Sequence, residues 1–118
     1  FSSCDNLISL TFEEGSQLQS IESDAFCDAN ISQLVLPFTL QTIGSYAFQY
    51  NYNLKSVDFG INSQLETIGS CAFYNTNIEE LIIPASVTEI KDRAFYECEK
   101  LSNVNFLCSL PARICTNS

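Results

Sequence analysis

Phenylalanine recurs at Phe1, Phe26, Phe48, Phe73 and Phe95, in steps of 25, 22, 25 and 22 residues, and Ala-Phe marks the last four. A period of this length marks a stack of short units, each too small to bury its own apolar face alone. The regular alternation implies that a long and a short unit take turns along the stack. The chain therefore reads as a single repeat domain with units of about 1–25, 26–47, 48–72, 73–94 and 95–118. With 118 residues, 46% of them hydrophobic, stacking supplies enough apolar surface for one continuous core.

Within each unit an apolar triplet recurs: Leu7, Leu10, Phe12; Ile31, Leu34, Leu36; Leu54, Val57, Phe59; Ile78, Leu81, Ile83; Leu101, Val104, Phe106. The last two members are two residues apart, so on an extended segment they point to the same side and enter one core. Five cognate parallel strands about 4.8 Å apart are expected to form one face. A second apolar pair, three residues apart, follows at Leu18 and Ile21, Leu40 and Ile43, Leu65 and Ile68, and Val87 and Ile90. That spacing predicts helical or 3₁₀ turns, or irregular backbone, on the opposite side.

The two unit lengths differ mainly in the connection between these patterns. Short units carry Pro37 or Pro84 there, which ends the strand ladder because proline has no amide donor. Long units carry Glu13-Glu14-Gly15-Ser16 or Gly60-Ile61-Asn62-Ser63, where glycine relaxes the longer turn. The periodicity places Phe48 and Phe73 in the core, so alanine at either is expected to cost roughly 3 to 5 kcal/mol.

These units resemble the BspA-like, or treponemal-type, leucine-rich-repeat family, whose pattern is L-x-x-L-x-(L/F/I)-P-x-x-(L/V)-x-x-I-G-x-x-A-F-x-x-C. Leu34 to Phe48 carries it through Pro37, Ile43, Gly44, Ala47 and Phe48. Leu81 to Cys98 repeats it through Pro84, Val87, Ile90, Ala94, Phe95 and Cys98. The resemblance implies a leucine-rich-repeat solenoid of five stacked units, non-catalytic, secreted or displayed on a cell surface, and used for adhesion or protein recognition. Departures are read at Ser23 and Asp92, taken to replace the family glycine kept at Gly44 and Gly69, and after Phe106, where the pattern changes to what is expected to be a cap.

Fourteen acidic against five basic residues give a formal charge of −9, which disfavours phosphate backbones and anionic lipid heads. No apolar run approaches the roughly eighteen residues of a spanning helix, so membrane insertion is not expected. The chain contains no histidine, which removes the commonest proton carrier and the usual nucleophile pairs; no catalytic residues, metal site or cofactor is expected. The adjacent pairs Glu13-Glu14 and Glu79-Glu80 point to opposite sides of an extended strand and build no shared acid–base pair.

Cys4 and Cys98 fall at the position filled by Ala29, Asn51 and Thr76 in other units, a slot expected to be small and buried. Cys108 and Cys115 leave the repeat pattern together and are the expected intrachain disulfide. Asn6, Asn30, Asn53 and Asn77 form a row before successive strands, ending at Lys100, and are expected to cap buried turns. Asn30-Ile31-Ser32 is also a glycosylation acceptor pattern, relevant to a chain secreted by a eukaryote.

The candidate contact surface is set by the strand alternation. One outward row runs Ser9, Gln33, Ser56, Glu80, Asn103; the other runs Thr11, Val35, Asp58, Ile82, Asn105. Mixed polarity with few cationic side chains suits a protein or glycan partner and not nucleic acid. An alternative function is structural: a further phenylalanine at the observed steps would fall close to Ser118, so a second copy placed there continues the series nearly in phase. Head-to-tail self-association into a filament is the corresponding expectation, with an array cut at a unit boundary as its competitor.

Overall fold

The computed structural model describes residues 9–107 and the backbone of Arg113 and Ile114. These residues form ten short strands: β1 (Ser9–Leu10), β2 (Ser20–Ile21), β3 (Gln33–Val35), β4 (Thr42–Ile43), β5 (Val57–Asp58), β6 (Thr67–Ile68), β7 (Glu80–Ile83), β8 (Glu89–Ile90), β9 (Asn103–Phe106) and β10 (Arg113–Ile114). Odd-numbered strands make the front of a parallel solenoid, even-numbered strands its back. Both stack cognate on cognate: Leu10 pairs with Leu34 and Leu34 with Val57, while Ile21, Ile43, Ile68 and Ile90 follow one another on the back.

The back corrects one expectation. No helix occurs among the described residues; the second apolar pair instead brackets a turn and a two-residue strand, as in Leu40 followed by Thr42–Ile43. The five back strands form one sheet, ordered β10-β8-β6-β4-β2. Spacing of three arises because Leu40 closes the turn from Pro37, its amide bonded to the Pro37 carbonyl at 3.1 Å, before the strand starts. The wider link in long units closes similarly, with Ser16 and Ser63 hydroxyls accepting from the amides of Leu18 and Leu65.

A third side is made by the Ala-Phe segments. Here residues two before and two after each phenylalanine take left-handed backbone, none of them glycine: Asp24 and Asp28, Tyr46 and Tyr50, Cys71 and Asn75, Arg93 and Glu97. Such a conformation costs an L-residue roughly 1–2 kcal/mol. It persists because it aims alternate amides at the next coil: Tyr46 to the Ser70 carbonyl at 2.9 Å, Phe48 to Ala72 at 2.8 Å and Tyr50 to Tyr74 at 3.0 Å. The intervening amides turn back on their own coil, as Gln49 does to Tyr46 at 3.2 Å.

Inside this frame Phe26, Phe48, Phe73 and Phe95 form a stack with centroids 5.3 to 5.5 Å apart and planes within 10° of parallel. Phe48 and Phe73 are fully buried, as their periodicity predicts. The small-residue slot is buried too, at Ala29, Asn51, Thr76 and Cys98. Its polar members are satisfied across coils. Asn51 donates to the carbonyls of Phe26 and Phe48 and accepts from the Ile31 amide at 2.8 Å, and the Cys98 thiol donates to the Phe73 carbonyl at 3.1 Å beside Thr76.

The asparagine row differs from expectation. Asn30 and Asn77 are half-buried and Asn53 is exposed, and they link coils instead of capping buried turns: Asn53 donates to the Asn30 side chain at 2.6 Å and Asn77 to the Tyr52 carbonyl. The buried asparagine is Asn51, two residues upstream of the row. The glycine position also shifts. The back-strand register sets Glu22 and Lys91, not Ser23 and Asp92, level with Gly44 and Gly69. A Cβ on Gly69 would stand 2.7 Å from the backbone of Gly44 and Ser45, and one on Gly44 would stand 2.6 Å from the Ser23 amide nitrogen.

Three outcomes follow. Phe73→Ala should lower stability by roughly 3 to 5 kcal/mol in urea unfolding, since the ring has stacked neighbours on both sides. Gly69→Ala should lose roughly 1–3 kcal/mol, because its neighbours are backbone and cannot move aside; an unchanged midpoint would contradict this close approach. The third concerns pH. Burial pushes the Cys98 thiol above the ordinary 9.0, more than its bonds to Thr76 and Asn75 lower it, and burial likewise raises Cys27 and Cys71. Unfolded thiols ionise near 9.0 while folded ones keep their proton, so stability is full below that pH and falls above it. Cys98→Ala should shallow the decline, read as urea midpoints at neutral and alkaline pH; an undiminished slope would place its origin elsewhere.

Candidate binding surface

Along the front strands outward positions alternate with core-facing ones, which are buried on β3, β5 and β7, half-buried on β1 and exposed on β9, so two rows of side chains leave the solenoid on the same face. Ser9, Gln33, Ser56, Glu80 and Asn103 are all exposed, and so are Thr11, Val35, Asp58, Ile82 and Asn105. The structure thus brings together all the expected surface residues in two columns, one coil apart from member to member. Asp58 and Glu80 supply the charge, and no lysine or arginine stands in either row. Lys55, exposed beside Ser56, is the nearest base in sequence.

The face is not one continuous sheet. Hydrogen-bonded ladders join β1, β3 and β5, and separately β7 and β9, but no ladder joins β5 to β7. The Glu79 amide still bonds to the Lys55 carbonyl at 2.9 Å, just ahead of both strands. Beyond it β5 ends at Asp58, whose Oδ1 accepts from the Gly60 amide at 2.9 Å, and Gly60 takes left-handed backbone at φ 86°. A seam opens there into a groove of about 590 Å³ lined by Asp58, Gly60, Ile61, Ile82, Pro84 and Leu107. Its aliphatic side chains are unusually bare: Ile61 is 88% exposed, Ile82 55% and Leu107 59%.

A smaller groove of about 200 Å³ occupies the equivalent place two coils away. It lies between the long-unit bend at Glu13 to Ser16 and the short unit's Val35, Pro37 and Phe38. Val35 and Phe38 are exposed there. Both grooves lie between the bend of a long unit and the proline of the next short one, Glu13 to Ser16 with Pro37 and Gly60 to Ser63 with Pro84.

A second feature, a half-buried tyrosine series, was not anticipated from the sequence. Tyr50, Tyr74 and Tyr96 pack in series along the Ala-Phe side, at 5.7 Å between centroids, with Tyr52 against Tyr50 at 6.0 Å and the Arg93 guanidinium 5.5 Å above Tyr96. Desolvation in the stack, followed by Glu97 and the neighbouring phenols, raises Tyr74 above its ordinary 10.0. Tyr74 and Tyr96 lie parallel within 1°, whereas Tyr50 meets Tyr74 edge to face at 72°. Their signal is hard to find in sequence, since Tyr50 sits two residues after its phenylalanine and Tyr74 and Tyr96 only one.

The remaining expected sites separate into two groups. Asn30 lies in the described solenoid, half-buried, in left-handed backbone and bonded to Asn53. Cys108 and Cys115, and Cys4, lie outside the described residues; Cys27, Cys71 and Cys98 are free thiols.

Comparison with known proteins agrees with this geometry. The model of the BspA type leucine rich repeat region matches residues 1–102 in six copies. A leucine rich cell surface protein from Faecalibacterium prausnitzii A2-165 shares the fold with a TM-score of 0.73 over 92% of this chain, at 22% identity. The pneumococcal vaccine antigen PcpA matches 80% of this chain with a TM-score of 0.69 and 34% identity. The chain spans only 35% of the first of these structures and 22% of the second. No curated protein matches it. Period, parallel-stranded coils and family match together place this chain in the BspA-type leucine-rich-repeat family.

Proposed function

We propose that this chain is a non-catalytic recognition module of a cell-surface or extracellular protein, holding a protein or glycan partner on its front strand face. The observation that carries the reading is the pair of outward columns, ten exposed side chains from five coils stacked on one buried core. A solenoid presents such a face over a length no single strand pair reaches. The cell-surface description of the Faecalibacterium protein and the antigen description of PcpA support the location. Asp58 and Glu80 give the face a negative centre suited to a partner with basic groups.

A second reading, in which copies stack head to tail into a filament, draws on the last front strand. On β9 the core-facing positions Val104 and Phe106 are 42% and 40% exposed, whereas their cognates Leu81 and Ile83 are buried. A further coil, from this chain or from another copy, would cover them. Light scattering and electron microscopy of the chain at high concentration separate the readings: fibres favour stacking, and persistent monomers overturn it.

For the recognition reading, arrays of extracellular matrix proteins and surface glycans probed with the folded chain should identify a retained partner. The double variant Asp58→Ala, Glu80→Ala should weaken that binding at least tenfold with an unchanged circular dichroism spectrum. Binding untouched by the double variant, but removed by Tyr96→Ala on another side, would overturn the assignment to the front face.

A further inference from the structure

We infer that the two front grooves act as paired pockets for one extended peptide in polyproline II conformation, with an apolar residue at every third position and basic residues between. This rests on the recognition reading and specifies its partner.

The spacing of the pockets selects the partner's backbone. Val35 and Ile82 are the exposed aliphatic strand residues that line the two grooves, on β3 and β7, with the β5 coil between them. Two coils at the separation of parallel strands amount to about 10 Å. The core keeps that rise across the seam, since Phe48 and Phe73 stack at 5.3 Å like their neighbours. A polyproline II peptide turns once in three residues and advances about 9.3 Å, so residues i and i+3 project from the same side at the required distance. An extended β-strand repeats its face at about 6.6 or 13 Å and misses one pocket.

A helix matches the length less well in chemistry than in geometry. Its residues i and i+7 lie about 10.5 Å apart, but an amphipathic helix brings an apolar i+3 or i+4 residue over the middle coil. That coil presents Asp58, an exposed carboxylate. In polyproline II form only the i+1 and i+2 residues pass there, turned aside, where a basic side chain reaches it. The groove linings supply Glu13 and Glu14 at one pocket and Asp58 at the other, with no basic residue at either. Partner charge is therefore set as positive, in accord with the formal −9 of the whole chain. A preformed polyproline II peptide also loses little conformational freedom on docking.

The test uses the full chain and two synthetic nonapeptides of identical composition. One repeats Leu-Pro-Arg three times; the other places its leucines at positions one, three and five. Fluorescence anisotropy should show the first bound at least tenfold more tightly, with affinity falling as salt rises. Val35→Asp and Ile82→Asp should each reduce its affinity to that of the isomer, because both pockets are engaged together. Thr42→Asp, exposed on the back, should change nothing. Equal affinity for the two peptides, or full affinity in Val35→Asp and Ile82→Asp, would overturn the paired-pocket proposal while leaving a partner on the front face. Failure of both peptides to bind would also overturn it, and the array experiment would then stand alone as the trial of the broader reading.

Discussion

The described solenoid hangs on a single constraint: each coil rises by one strand spacing, so strand and Ala-Phe residues sit over their cognates in the coil before. Backbone bonds between coils enforce it on three sides, along the front, the back and the Ala-Phe segments. Their amides would lack partners in an isolated coil, as would the left-handed residues that aim them. Stability is consequently a property of neighbouring pairs, and the phenylalanine stack is its apolar counterpart. The same constraint explains the two glycines, since a coil can cross closely above another only where one of them lacks a Cβ.

That constraint also decides what was readable from the sequence. Front strands were legible because alternation of buried and outward residues leaves a period of two, and the five triplets align without gaps. The back sheet was not. Its strands are two residues long, and the pair Leu40 and Ile43 spans a turn plus a strand with the same spacing that a helical turn would have. Glycine register slipped by one residue because Ser23 and Asp92 flank the true cognates Glu22 and Lys91, and neither of those resembles glycine. Asn51 was assigned to a small, buried column, yet its bridging role depends on carbonyls of two coils that only the folded chain brings together.

The outward rows were legible for the same reason as the strands. The seam that crosses them was not, because it coincides with contacts only the folded chain shows: the Asp58 carboxylate accepts from the Gly60 amide at the end of β5, and no ladder joins β5 to β7. Long and short units thereby do more than alternate in length. They give the front a coarser rhythm than the core, with an indentation at every second coil, so that features of the surface repeat half as often as the residues that support them.

The break between β5 and β7 is confined to the front. Back sheet and phenylalanine stack run through this level unbroken, while the front is joined there by the bond from Glu79 to Lys55 and not by a ladder. The front pattern is thus interrupted where the interior is not, so the surface is free to depart from the repeat at a coil whose stacking the core and the back sheet already fix.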